Sequence, residues 1–159
     1  LWNAIERSLP ELKRWMSWAA SSSPQTSAEY AHRAEAGWAD GTNWDWTIFF
    51  GDEVAGTIGL NRYDELWRSS NLGYWIRSDL AGSGFATEAG RAVVDFGFDT
   101  LGVNRLELVA DIGNASSLRV AEKLGFRFEG TKREGAFIDG RGMDVHMFGL
   151  IASDPRPRD

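Results

Sequence analysis

Residues 74–91 run YWIRSDLAGSGFATEAGR: a strand, then a glycine-bearing turn, then at once a helix. Before the turn, Leu72, Tyr74 and Ile76 share one face of the strand, with Gly73 and Trp75 on the other. After it, Phe85, Ala89, Ala92, Val93 and Phe96 recur at helical spacing as an apolar stripe, and Gly102 is suited to stop the helix. The first turn of a helix carries backbone N–H groups with no partner inside it, and the helix dipole adds partial positive charge there. Gly82 and Gly84 let the chain curl with no Cβ in the way. The segment reads either as a cradle for a phosphate or pyrophosphate or as an ordinary turn. Two nucleotide motifs fail: a dinucleotide fingerprint needs a third glycine where Thr87 stands, and no Gly-Lys-Ser/Thr exists for a triphosphate loop.

Toward the N-terminus, residues 1–20 read as one or two helices, with Pro10 in the first turn of the second. Ser21-Ser22-Ser23-Pro24 reads as a loop, and Ser27 as the cap of a helix over 28–38. Residues 44–50 predict a strand, Gly51-Asp52-Glu53 a tight turn, and the alternation of Val54, Gly56, Ile58 and Leu60 a second strand of the same hairpin. Toward the C-terminus, Leu106, Leu108 and Ala110 point inward from a strand over 105–110. A short helix opens at 114–117 and ends at Lys123-Leu124-Gly125; strands over about 126–136 and 143–151 follow, around Asp139-Gly140. This order predicts a mostly antiparallel meander leading into a β-α-β crossover, an α+β fold around one sheet. One domain is expected over 1–152, with residues 153–159 a flexible tail.

A chain of 159 residues, 43% hydrophobic and 25% charged, is long enough to bury a core and is not disordered in composition. With no cysteine there is no disulfide framework, thiolate metal site or cysteine nucleophile. No apolar run is long enough to span a bilayer and no secretory signal is visible, which points to the cytoplasm. A net charge of −6, with Lys and Arg scattered, argues against nucleic acid and for a cationic partner. Five of the eight Trp (Trp38, Trp44, Trp46, Trp67 and Trp75) cluster in one stretch, serving either core packing or an aromatic-walled substrate groove.

GYWIRSDLAGSGFATEA, followed by LGVNRLELVADIGNASSLRVAEKLGFRFEG, resembles the GNAT superfamily of acetyl-CoA-dependent N-acetyltransferases, and within it the RimJ/RimL branch. The resemblance covers nearly the whole chain. It implies a strongly twisted mixed sheet flanked by helices, with acetyl-CoA in the cleft between splayed central strands. It implies an amine acceptor such as the N-terminus of a ribosomal protein, and a monomer or homodimer. It also places contacts to the coenzyme at Ile76, Arg77, Gly82, Ser83, Gly84, Phe85, Ala86, Thr87, Asn114 and Ser117. Three departures stand out. Asp79 occupies the first signature position, Ala81 stands where relatives often carry a basic residue, and the β-strand that relatives place before the first helix is lost or truncated here.

Amine acetylation needs a neutral amine, a polarised carbonyl and a hydrogen bond or proton for the leaving thiolate. A terminal α-amine has a pKa near about 8, so part of it is neutral without a strong base. Ser117 matches the serine of the branch's Asn-x-x-Ser motif, which implies a role at the coenzyme's sulfur; read as a residue alone, it is a first-turn serine. Asn114 either caps the same helix or binds the pantetheine arm. The glutamate that the branch uses as base corresponds to Ala136 here. Glu134, two residues earlier and on the same face by period two, is the candidate substitute; Asp144 with His146, or water, are the others. Glu88 complements the helix dipole and nothing singles out His32. No metal-ligand spacing is present. Three functions follow: acetylation of a protein N-terminus, acetylation of a small-molecule amine, or acyl-CoA binding without catalysis.

Overall fold

The computed structural model describes residues 1–157 and holds one six-stranded mixed sheet. Its strands are β1 (Trp44–Phe50), β2 (Glu53–Asp64), β3 (Ser69–Ile76), β4 (Arg105–Asp111), β5 (Arg127–Ile138) and β6 (Arg141–Ile151). Its helices are α1 (Trp2–Glu6), α2 (Leu9–Trp15), α3 (Pro24–Asp40), α4 (Phe85–Asp95) and α5 (Ala115–Lys123). The strand order is β1-β2-β3-β4-β6-β5. β1, β2 and β3 form the expected antiparallel meander, and α4 carries the crossover to β4, which runs parallel to β3. β6 then inserts between β4 and β5, antiparallel to both.

Period two divides the sheet cleanly. Trp44, Ile58, Leu60 and Leu72 face the α4–α5 side, where they pack with Val93, Val94, Leu106, Leu124 and Phe148 into the main core. Fully burying each aliphatic side chain contributes about 1.5–3 kcal/mol. Trp75 points the other way, into a second cluster with Ala4, Ile5, Leu12 and Ala19 under α1 and α2. The tryptophans divide accordingly. Trp44 and Trp75 are buried, Trp46 packs edge-on and Trp38 tilted against Phe96, and Trp67 is exposed at the β2–β3 turn.

Several expectations change. Ser23, not Ser27, caps α3: its side chain accepts from the Thr26 N–H and Thr26 Oγ1 accepts from the Ser23 N–H. That reciprocal capping box starts the helix one turn earlier and leaves Ser27 buried inside it. Ala92 is exposed; Gly90 and Val94 share the buried stripe with Val93, and α4 packs so close to Leu124 that a Cβ at Gly90 would press on its methyl groups. The helix ends in a π turn, Phe96–Thr100, before Gly102 at φ +66°. After β6, Arg156 pairs with Asp95 at 2.8 Å and with Asp99, and Pro157 lies against Gly125, so this part of the expected tail is docked on the end of α4. Arg158 and Asp159 lie outside the described residues.

Candidate functional site

β3 and β4 pair only at Ser69, Ser70 and Asn71 with Arg105, Leu106 and Glu107. Beyond Asn71 the strands separate, and a cavity of about 680 Å³ opens there. Its lining includes Leu72, Tyr74 and Ser117 from the α4–α5 side, and Thr57, Gly73 and Trp75 from the α1–α3 side. The cavity therefore passes through the sheet. Two reactants can enter from opposite faces and meet at the gap.

On the α4 side the turn before the helix is left-handed at Gly82 (φ +80°) and Gly84 (φ +91°). Space around both is open, with no atom within 4 Å of an added Cβ. The N–H groups of Gly84, Phe85 and Ala86 point from the helix start with no acceptor among the described residues, as does that of Gly82. Ser83 and Thr87 were expected to join this cradle, but their N–H groups are taken, by Leu80 O at 3.3 Å and Gly84 O at 3.0 Å; the Thr87 side chain is buried. Arg77 is likewise committed. It is 4% exposed and forms ion pairs with Glu53 at 2.9 Å and Asp79 at 2.7 Å, while its N–H donates to Ala55 O. Asp79, at the family's first signature position, thus braces the turn through Arg77, and that hydrogen bond holds its carboxyl below the usual range. Ile76 ends β3, half-buried and outside the cavity lining.

At the gap, Asn114 caps α5: its Oδ1 accepts from the Ser117 N–H at 3.2 Å. Such a cap contributes about 1 kcal/mol and sets Ser117 in the first turn, facing the cavity. The Tyr74 hydroxyl donates to Ser117 Oγ at 3.0 Å. Burial raises the Tyr74 phenol above its ordinary value, so it stays protonated. Ser116 is exposed.

The acid–base candidates of β5 and β6 sit elsewhere. The pairing shifts between Lys132 and Ala136, so period two breaks there. Glu134 takes φ +47° within this bulge, is exposed, and lies over Gly142 rather than in the cavity. Gly135 and Ala136 line the cavity instead. Asp144 Oδ1 accepts from the Glu134 N–H at 2.8 Å and so holds the bulge. His146 contacts Thr131 Oγ1 at 3.0 Å and packs edge-on to Phe128. These two do not pair, and neither lines the cavity.

Three carboxylates that the sequence reading does not single out line the cavity: Glu29, which accepts from Gln25 Nε2, and Asp111 and Asp45. Asp111 ends β4; its Oδ1 accepts from the Gly113 N–H at 2.7 Å, and its Oδ2 is buried with no partner. Asp45 lies on β1 and accepts from the Tyr30 hydroxyl at 3.0 Å. Asp111 stands at the strand end three residues before the Asn114 cap, a signal the sequence carried; nothing local marked Asp45. Among the described residues no group of three or more His, Cys, Asp or Glu could hold a metal ion, and no helix is long and apolar enough to cross a membrane.

A sheet parted between two parallel strands, with bare helix N–H groups beside the gap, offers an anionic ligand both donors and room. The model of the acetyltransferase (GNAT) domain matches residues 2–127, and the chain belongs to that family. It is 32% identical over 104 residues, 65% of this chain and 57% of the other, to YdaF of Bacillus subtilis (strain 168), provisionally named a ribosomal N-acetyltransferase. It is 32% identical over 89 residues to the spermidine N(1)-acetyltransferase of Escherichia coli (strain K12), covering 56% of this chain and 48% of that one. The matched region thus spans about half the length of these relatives. The structure of RimL, a ribosomal L7/L12 α-N-protein acetyltransferase solved with coenzyme A, superposes with a TM-score of 0.88 at 20% identity, over 96% of this chain and 88% of that one. At that identity the likeness is one of fold.

Proposed function

We propose that this domain transfers an acetyl group from acetyl-CoA to a primary amine by direct attack, the acceptor being the N-terminal α-amine of a protein. The observation that carries this reading is the Tyr74–Ser117 pair at the gap, with the bare N–H groups of α4 on one side and an open cavity on the other. The coenzyme's pyrophosphate fits the N–H groups of Gly82, Gly84, Phe85 and Ala86, in a turn where a Cβ would take the ligand's space. The free Nδ2 of Asn114 is available to the pantetheine arm.

The thioester supplies an activated acyl carbon. The acceptor nitrogen forms the new C–N bond as the C–S bond breaks. Tyr74 donates to one lone pair of Ser117 Oγ, and the Ser117 hydroxyl hydrogen-bonds the leaving sulfur as thiolate charge develops. The ammonium proton released by the attacking amine goes to Asp111, whose Oδ2 is buried in the cavity wall without a hydrogen-bond partner, or to water. Glu134 has no part in this scheme.

The small-amine reading draws on one observation, the likeness to a spermidine acetyltransferase. The test is acceptor-dependent thiol release with a chromogenic trap, with the acceptor weighed by mass spectrometry. Peptides with a free N-terminus should gain one acetyl group. Coenzyme binding without thiol release would leave a binding module; turnover of free amines alone would move the acceptor class.

A further inference from the structure

We infer that Asp45, with Tyr30 and Ser27, forms a subsite for a second ammonium group of the acceptor, apart from the nitrogen that is acetylated. This rests on the acetyl-transfer reading above and deepens it. Asp45, Gly59 and Gly73 stand directly opposite one another on β1, β2 and β3, so they share the face under α3. A Cβ on Gly59 would strike the Asp45 carboxylate, and one on Gly73 would come within 3.2 Å of Asn61 Nδ2. The two glycines make a bare floor, and the Asp45 carboxylate leans across β2 toward the gap. One to two strand spacings, about 5–10 Å, separate it from the edge of β3 where the amine must react.

The chemistry of the subsite selects a cation. Asp45 Oδ1 is oriented by the Tyr30 hydroxyl, and no Lys, Arg or His among the described residues forms an ion pair with Asp45. Arg33, three residues along α3 from Tyr30, lines the cavity without pairing to it. Independently, Ser27 is 6% exposed, lines the same cavity, and its Oγ has no hydrogen-bond partner. A buried hydroxyl without a partner is uncommon in a native protein. An ammonium carries three donors and no acceptor, which suits a carboxylate and a hydroxyl oxygen that line the same cavity. Burial pushes the Asp45 carboxyl up and the Tyr30 phenol up to about 12; a bound cation would reverse the first shift. A second ammonium at this distance is found in a free polyamine and in a lysine near a peptide's N-terminus.

The test compares matched acceptors in the thiol-release assay: α,ω-diamines against amino alcohols of equal length, and peptides with lysine against norleucine at positions 2 and 3. The cationic member should have a kcat/KM roughly tenfold or more higher, the scale of one hydrogen bond to a charged group. Asp45→Asn, which keeps an acceptor for Tyr30, should abolish that ratio; Tyr30→Phe should reduce it. Preference in the diamine series alone identifies a polyamine, in the peptide series alone a basic terminus. Equal rates in both series, or a ratio that survives Asp45→Asn, overturns the subsite. Calorimetric binding of 1,6-diaminohexane to wild type and Asp45→Asn gives a readout independent of turnover. Asp45-dependent binding without acetylation of any amine supports the subsite and removes the acetyl-transfer reading. Equal binding by both folded proteins removes the subsite.

Discussion

Tyr74 on β3 donates its hydroxyl hydrogen to Ser117 Oγ on α5 at 3.0 Å, tying the two elements that border the parted strands. The bond fixes the position of a first-turn serine hydroxyl at the edge of the cavity. The Ser117 N–H is used by the Asn114 cap, and its hydroxyl oxygen, which lines the cavity, is held by Tyr74.

Loss of that hydroxyl should act on the transition state more than on binding, because a hydrogen bond to the sulfur strengthens as thiolate charge develops. Ser117→Ala should lower kcat roughly 10- to 1000-fold, and Tyr74→Phe less, with KM for acetyl-CoA little changed. Ser116→Ala, at an exposed neighbour, should keep wild-type kcat. Steady-state kinetics on the three variants decides: equal losses at both serines would return Ser117 to a purely structural place.

Gly84→Val should cost the protein its coenzyme. The position sits at φ +91°, where a β-branched residue is strained by about 1–2 kcal/mol or more, and its Cβ would fill open space that the pyrophosphate needs. Calorimetry with coenzyme A should show at least tenfold weaker binding while circular dichroism remains native. Unchanged affinity would remove the cradle from α4.

Asp111→Asn should lower kcat/KM roughly 10- to 100-fold near pH 7 and far less above about pH 9, where an α-amine is already neutral. A pH–rate profile separates this from a packing defect, which would lower the rate at every pH.

Acid should weaken the turn before α4 through Asp79. Its folded pKa lies below the unfolded one because Arg77 hydrogen-bonds the ionised form. Its contribution is therefore present above the unfolded pKa, about 3.9, and is lost as pH falls through the folded value. Melting temperature followed from pH 7 to pH 2 should fall less steeply below pH 4 in Asp79→Asn than in wild type. Parallel curves would mean that the Arg77–Asp79 pair adds nothing to stability.

Much of the site was legible because it is local. Strand, turn and helix follow one another within residues 74–91, and the glycine positions, helix start and Asn114 cap need only neighbours in the chain. The alternation likewise assigned core faces correctly at Ile58 and Leu60 of β2, Leu72 of β3, and Leu106 and Leu108 of β4, where period two is unbroken; Val54, grouped with the first two, packs instead against the cluster under α1 and α2, past the register shift between Ile48 and Phe49. The same rule misplaced Glu134, where a bulge held by Asp144 breaks the period. The contacts expected of Thr87 and Arg77 meet a related limit. The sequence displays which groups are near the turn, but not which have already spent their donors on Leu80, Gly84, Glu53 or Asp79.

The sequence by itself determined an α+β domain, a β-α-β crossover bearing a glycine turn, and a serine in the first turn of a capped helix. All of these arise from backbone sterics, periodicity and capping within a few residues. Only the tertiary structure decided that β6 enters between β4 and β5, that Tyr74 reaches Ser117 across 43 positions, and that Asp45, Gly59 and Gly73 align on one face. Those relationships depend on strand order and register, which are set by how whole faces pack against α1–α3 and α4–α5, and no local pattern in the chain encodes them.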